Sequence, residues 1–346
     1  MAYTTINKST DYFNNKLYTG TGSSNAITGV GFQPDLTWIK QRNETRNSNL
    51  YDSIRGVQVY IQSSSTGGNG TYTNGLTAFG TDGFTVVSHD DVNKNSGTYA
   101  SWNWKAGTTG SGTTGGSGTA KSYSYSVNTT AGFSIVKYTG NGSAGHTIPH
   151  HLGVVPKCIL FKQLTGSNVD WKVYHEEIGN THRLTLNDNT ESNNDDSAFN
   201  DTSPTSTVFT VGGSSGTNPN NYDMIAYCFT NKTGYSKFGS YTGNGVATGT
   251  FIYLGFKPKF LMIKNASAAA SWVMVDSERL GYNTNNSELF ANNTNAEEAN
   301  NQIDLLSNGF KMRANSTSIN TSGSEYIYLA FGQSLVGSNN VPCTAR

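Results

Sequence analysis

Short apolar segments run the length of the chain, separated by clusters of Gly, Ser, Thr, Asn and Asp. Two of them, Cys158-Ile159-Leu160-Phe161 and Phe260-Leu261-Met262-Ile263, are continuously apolar. That pattern predicts a strand covered on both faces, at the centre of a sheet. Others alternate with period two. Ala100, Trp102 and Trp104 share one face of a segment whose counterparts carry Ile225, Tyr227 and Phe229, and then Ile327, Leu329 and Phe331. Successive strand residues point to opposite sides, so this face is the predicted core face.

These segments belong to a pattern that recurs three times. Tyr18-Thr19-Gly20-Thr21-Gly22 returns as Tyr138-Thr139-Gly140-Asn141-Gly142 and as Tyr241-Thr242-Gly243-Asn244-Gly245. A proline follows each tyrosine by 16, 18 and 17 residues (Pro34, Pro156 and Pro258), and a lysine follows each proline by six (Lys40, Lys162 and Lys264). A strand start at Phe84, Phe209 and Phe310 comes 50, 53 and 52 residues after the prolines. The alternating aromatic segment holding Trp102, Tyr227 or Leu329 closes each copy. The glycines permit a turn at the end of a strand. Proline opens the next strand, where a missing N–H costs least.

The repeat predicts an all-β chain of three tandem β-sandwich or jelly-roll-like modules of about 100 residues. The modules cover residues 1–107, 123–233 and 234–346, with a Gly/Ser/Thr linker at 108–122. A linker of that composition is expected to be flexible, letting the first module move while the second and third pack directly.

Composition agrees with strands and turns: 39 Gly, 19 Tyr, 16 Phe and 5 Trp, with 13% charged residues. Formal net charge is zero and no basic run occurs, which argues against a nucleic-acid partner. No apolar stretch is long enough for a membrane helix, and the amino-terminal residues lack the apolar region of a secretion signal. Cys158, Cys228 and Cys343 show no metal-ligand spacing; the first two sit in apolar runs and read as small buried hydrophobes.

A group kept in all three copies is most simply scaffold, whereas a reactive group should be special to one. Lys40, Lys162 and Lys264 read as strand-end lysines that snorkel or guard an edge, with a ligand-contacting cation as the rival reading. Asp52 with Arg55, and Asp276 with Arg279, fit local ion pairs in turns; the second copy has His175 there and lacks the arginine. Glu176 and Glu177, if in a strand, point to opposite faces and do not form a glycosidase pair. His146, His150 and His151 read as turn residues before metal ligands. The acidic stretch 187–196 reads as a solvated loop before a calcium site. No cofactor, catalytic or metal residue is therefore assigned.

Gly31-Phe32-Gln33-Pro34-Asp35-Leu36-Thr37-Trp38-Ile39-Lys40, Gly234-Tyr235-Ser236-Lys237-Phe238-Gly239-Ser240-Tyr241 and the opening residues Met1-Ala2-Tyr3-Thr4-Thr5-Ile6 resemble a repeat domain found in structural proteins of marine and freshwater bacteriophages. The resemblance implies placement on a virion, with no established activity to carry over; with no catalytic constellation in the sequence, a non-enzymatic virion protein assembled in the host cytoplasm is expected. Its partners would be other virion proteins and its own copies, with a tail fibre contacting host-surface glycan as the first expectation. Capsid decoration is the alternative, and a polysaccharide depolymerase is a third.

Overall fold

The computed structural model describes residues 4–279, 283 and 286–337. Met1 to Tyr3, Leu280, Gly281 and Cys343 lie outside them. The protein is all-β, built of antiparallel sheets in the β-sandwich class. Among the described residues, no helix is long and apolar enough to cross a membrane.

One order of pairing occurs in three large sheets. In the first, the opening strand Phe13–Thr19 lies beside the closing strand Thr98–Trp104, then the inner strand Leu36–Gln41 and the outer strand Ser48–Asp52. The second sheet places Phe133–Thr139, Asp223–Phe229, Cys158–Gln163 and Lys172–His175 in the same order. The third places Ser236–Thr242, Glu325–Gln333, Lys257–Asn265 and Val273–Asp276 likewise. The opening strands end at the threonine of each Tyr-Thr-Gly motif, as expected. Pro34 and Pro156 precede their strands, and Pro258 sits at a register shift inside its own, where the ladder tolerates a missing donor.

Each large sheet is covered on one side by a three-stranded sheet: Asn25–Ile27, Gly83–Val86 and Leu76–Gly80; Gly115–Gly116, His146–Pro149 and Val208–Val211; Phe251–Tyr253, Gly309–Met312 and Ile303–Leu306. Between the layers lie three local cores, which take the other face of the closing strands: Tyr99 in the first, Met224, Ala226 and Cys228 in the second, Tyr326, Tyr328 and Ala330 in the third. The face predicted as core does something different. Trp102, Trp104, Tyr227, Phe229, Leu329 and Phe331 all enter one common core shared by the three large sheets. Both faces of each closing and inner strand are therefore buried, which is why the inner runs are continuously apolar.

The predicted flexible linker is not one. Thr108–Thr113 is the outermost strand of the second large sheet, paired with Ser122–Asn128, and Gly115–Gly116 pairs with His146–Pro149. Gly110 and Gly112 face Tyr125 and Tyr123 across the pair, so closely that a Cβ on either would lie 2.7 to 3.0 Å from a ring carbon. The tyrosine rings cover the bare glycines and supply the apolar contact a Gly-rich strand lacks. Nor is the first sheet pair free to swing, because it bonds to both others.

Candidate functional site

The most heavily built region is where the three sheets meet. Trp104, Phe229 and Phe331 occupy the same position on their closing strands and form a triangle, with ring centroids 6.2, 5.7 and 5.6 Å apart. Phe13 and Phe260 pack on it, 5.0 and 5.9 Å from Trp104. Such aromatic pairs add to the stabilisation from burial.

Around this hub the outer strands end in a set of polar clips. Asp52, His175 and Asp276 hold equivalent places, opposite Leu36, Cys158 and Phe260 on the inner strands. Asp52 accepts a hydrogen bond of 2.7 Å from the Tyr227 hydroxyl of the second sheet. His175 reaches the Tyr328 carbonyl of the third. Asp276 accepts at 3.1 Å from the Trp102 indole of the first. The clips run from first to second to third and back to first, so the ring is closed.

In the sequence Asp52 with Arg55 and Asp276 with Arg279 read as local ion pairs in turns, modest in energy when exposed. Both pairs are instead almost fully buried, with side chains no more than 1% exposed. Each arginine also donates to a carbonyl of its own outer strand, Leu50 or Met274. Burial inside the ring converts a turn of little energetic consequence into a lock.

The three repeated lysines are neither edge guards nor snorkelling. All are fully buried. Lys40 donates to the Asn293 carbonyl of the third segment at 2.9 Å, Lys162 to Thr66 of the first at 2.7 Å, and Lys264 to Asn189 of the second at 3.2 Å. Burial lowers each ammonium from its ordinary value to about 8. Backbone bonds accompany them across every junction, among them Arg46 to Thr294, Val169 to Thr66 and Ala270 to Asn189. The Gly/Ser-rich residues Ser63 to Gly75 of the first segment join in, with the Asn69 amide bonded to the Leu164 carbonyl. The acidic stretch is part of a junction too, where Asn189 receives Lys264; within the second segment Asp195 pairs with Arg183 at 2.6 Å.

The Tyr-Thr-Gly motifs form three further clips, each on an asparagine that sequence reading missed. Asn93, Asn218 and Asn320 are fully buried. Their side-chain carbonyls accept from the amides of Thr21, Asn141 and Asn244 at 2.9 to 3.0 Å. The motif tyrosines donate to the carbonyl of the preceding residue, Val92, Thr217 or Ile319. The signal was present: these asparagines stand six residues before Tyr99, Met224 and Tyr326. Gly20, Gly140 and Gly243 are required for close approach, not for a left-handed turn. A Cβ on any of them would lie 2.1 to 2.2 Å from a backbone carbonyl oxygen. Gly140→Ala is therefore expected to cost about 1–3 kcal/mol, measurable by urea denaturation of the purified variant.

The other candidates are similarly engaged. Glu176 and Glu177 lie in a 3-10 turn, not a strand; Glu176 pairs with Lys157, and Glu177 accepts from Ser240. His146 contacts Asn218 and Thr114, and His151 stacks 3.6 Å from the Tyr125 ring. No cluster of metal-ligating groups occurs among the described residues. Cys158 and Cys228 are buried free thiols.

A family model described as a domain of unknown function, DUF7483, matches residues 8–334 in one span, covering all three sheet pairs and both ends of the ring. The chain belongs to the DUF7483 family. The family domain thus spans the closed ring. No curated protein matches the chain.

His150 and His175 give this DUF7483 domain a defined acid sensitivity. In both, Nδ1 accepts a backbone amide and Nε2 donates to a carbonyl, so the neutral ring is fully used. A second proton would point at an N–H group, and burial pushes both rings down to about 4. Between pH 6.5 and 4 the folded state then binds fewer protons than the unfolded one. Stability is full above pH 6.5 and falls toward pH 4, by about 3 kcal/mol per histidine. Urea denaturation at pH 7 and pH 4.5 checks this, and His175→Gln should flatten the dependence.

Proposed function

We propose that the protein is a non-enzymatic structural component of a bacteriophage particle, carried as a tail fibre or tail-associated appendage that touches host-surface glycan. One observation carries the non-enzymatic part. The carboxylates, histidines and lysines that a mechanism would draw on are spent on closing the ring: Asp52, Asp276, His175, Lys40, Lys162 and Lys264 each bond across a junction. The solvent-facing surface includes the outer side of the small sheets, the loops and the outermost strand Thr108–Thr113 of the second large sheet. Contacts with other virion proteins and with host glycan would be made there. Association with further copies would also use outer surfaces, since the common core is filled within one chain.

Capsid decoration is the second reading. It draws on the repeated sheet order: three similar sheet pairs in one block offer three similar faces to a lattice. Cryo-electron microscopy of the particle separates the two. Low copy number at the tail supports the appendage. High copy number tiling the head replaces it with decoration. Shortening of a host polysaccharide by the purified protein would refute the non-enzymatic reading altogether.

A further inference from the structure

The third small sheet departs from the other two at one place. Its edge strand Phe251–Tyr253 pairs Ile252 with Phe310, as Ile27 pairs with Phe84 and Ile148 with Phe209. These inward residues are alike because they fill local cores. The outward neighbours are not alike. The first two sheets carry Ala26 and Thr28, and Thr147 and Pro149, with Thr85 and Thr210 on the adjacent strand. The third carries Phe251 and Tyr253, with Lys311 directly opposite Phe251. Phe251 is 45% and Tyr253 56% exposed. The fold accepts small or hydroxylated residues at these positions twice, so scaffold demands do not explain two bare rings.

The surrounding chemistry is cationic. Lys237 donates to the Tyr253 carbonyl at 2.7 Å and holds its ammonium 5.9 Å from that ring's centre. Among the described residues neither Lys237 nor Lys311 has a carboxylate within ion-pair distance, whereas neighbouring Arg313 is paired with Asp304. An open cleft of about 350 Å3 beside Tyr253 is lined by Gly255, Asn308 and Ser334 among others.

We infer that this face binds an acidic saccharide, a uronate-bearing polymer, through ring stacking on Phe251 and Tyr253 and charge pairing with Lys237 and Lys311. Rings two residues apart on a strand stand about 7 Å from each other on one face, so one extended chain can lie across both. The C–H faces of pyranoses stack on aromatic rings, and the sugar carboxylates meet ammonium groups that no carboxylate of the protein neutralises. A protein partner is disfavoured, because a stable contact buries on the order of 800 Å2 per side and two rings flanked by cations offer far less. Single-stranded nucleic acid also uses stacking and cations, but it needs a basic groove tracking its backbone, and this face is open and short. The inference rests on the glycan-contact reading proposed above and names the sugar class.

The test uses the full chain and three probes: alginate as the polyuronate, dextran as its neutral counterpart and an oligothymidylate. Wild type should bind alginate and not dextran, with affinity falling as salt rises. Tyr253→Thr and Phe251→Thr place residue types already used at the equivalent positions and should leave the unfolding midpoint unchanged. Together they should weaken alginate binding at least tenfold, and Lys311→Ala should reduce its salt dependence. Equal binding to dextran, preferred binding to the oligothymidylate, or variants that bind alginate like wild type would each overturn the inference. Host-cell adhesion measured in parallel keeps it separate from the broader reading. Adhesion unaffected by the substitutions sinks this face alone; no adhesion by wild type sinks both.

Discussion

Replacing Phe331 by alanine should lower the unfolding free energy by about 3–5 kcal/mol and loosen all three sheets together. Phe331 is fully buried and touches Trp104, Phe229, Phe13 and Phe260, which belong to all three large sheets. The lost ring leaves a cavity that cannot collapse without moving three sheets at once. Hydrogen exchange should therefore rise in the closing strands Thr98–Trp104 and Asp223–Phe229 as well as in Glu325–Gln333. A loss confined to the third strand would show that the sheets are held independently. Trp104→Phe is the matching control. The buried Trp104 indole N–H has no hydrogen-bond partner among the described residues. The second and third sheets carry phenylalanine at that place and most of the ring contact is kept, so this change should cost clearly less than Phe331→Ala.

Arg279→Met should be comparably damaging, by about 3–5 kcal/mol. The substitution leaves the Asp276 carboxylate buried, with its 2.7 Å ion pair gone and only the Trp102 indole and nearby backbone amides as donors. It also removes the contact from Arg279 to Glu297, which is itself paired with Arg42 of the first segment at 2.7 Å. Changing Asp276 to leucine at the same time removes the unpaired charge, and the double variant should recover much of the loss. If the double variant were less stable than Arg279→Met, the cost would lie in packing and not in the stranded charge. Urea denaturation of the three variants at pH 7 makes the comparison.

Much of the fold was legible because repetition multiplies weak signals. A single Tyr-Thr-Gly-x-Gly is only a turn. Three of them, each followed at near-constant spacing by a proline and a lysine, mark corresponding strands along the chain. The burial of Cys158 and Cys228, and the two-sided burial of the inner strands, followed from apolar runs alone. The linker was misread because glycine, serine and threonine have the composition of a flexible tether. What makes residues 108–113 a strand is Tyr123 and Tyr125 lying over Gly110 and Gly112, a cross-strand relation that composition does not express. Asn93, Asn218 and Asn320 were passed over because asparagine is abundant in this chain, and only their constant distance from the closing strands sets them apart.

By itself the sequence determined the all-β class, the turns that end the opening strands, and the faces that must be apolar. Those depend on local period, turn chemistry and proline, which act within a few residues. It did not determine what the apolar faces pack against. Ala100, Trp102 and Trp104 look the same on a line of text whether they fill one sandwich or a core shared by three sheets. Only the tertiary structure decided that. It brought Asp52 to Tyr227, Asp276 to Trp102 and each lysine to a carbonyl of another segment. The buried location then turned ordinary surface-type ion pairs and lysines into the bonds that close the ring, because a charge removed from water must be met by a partner wherever the fold supplies one.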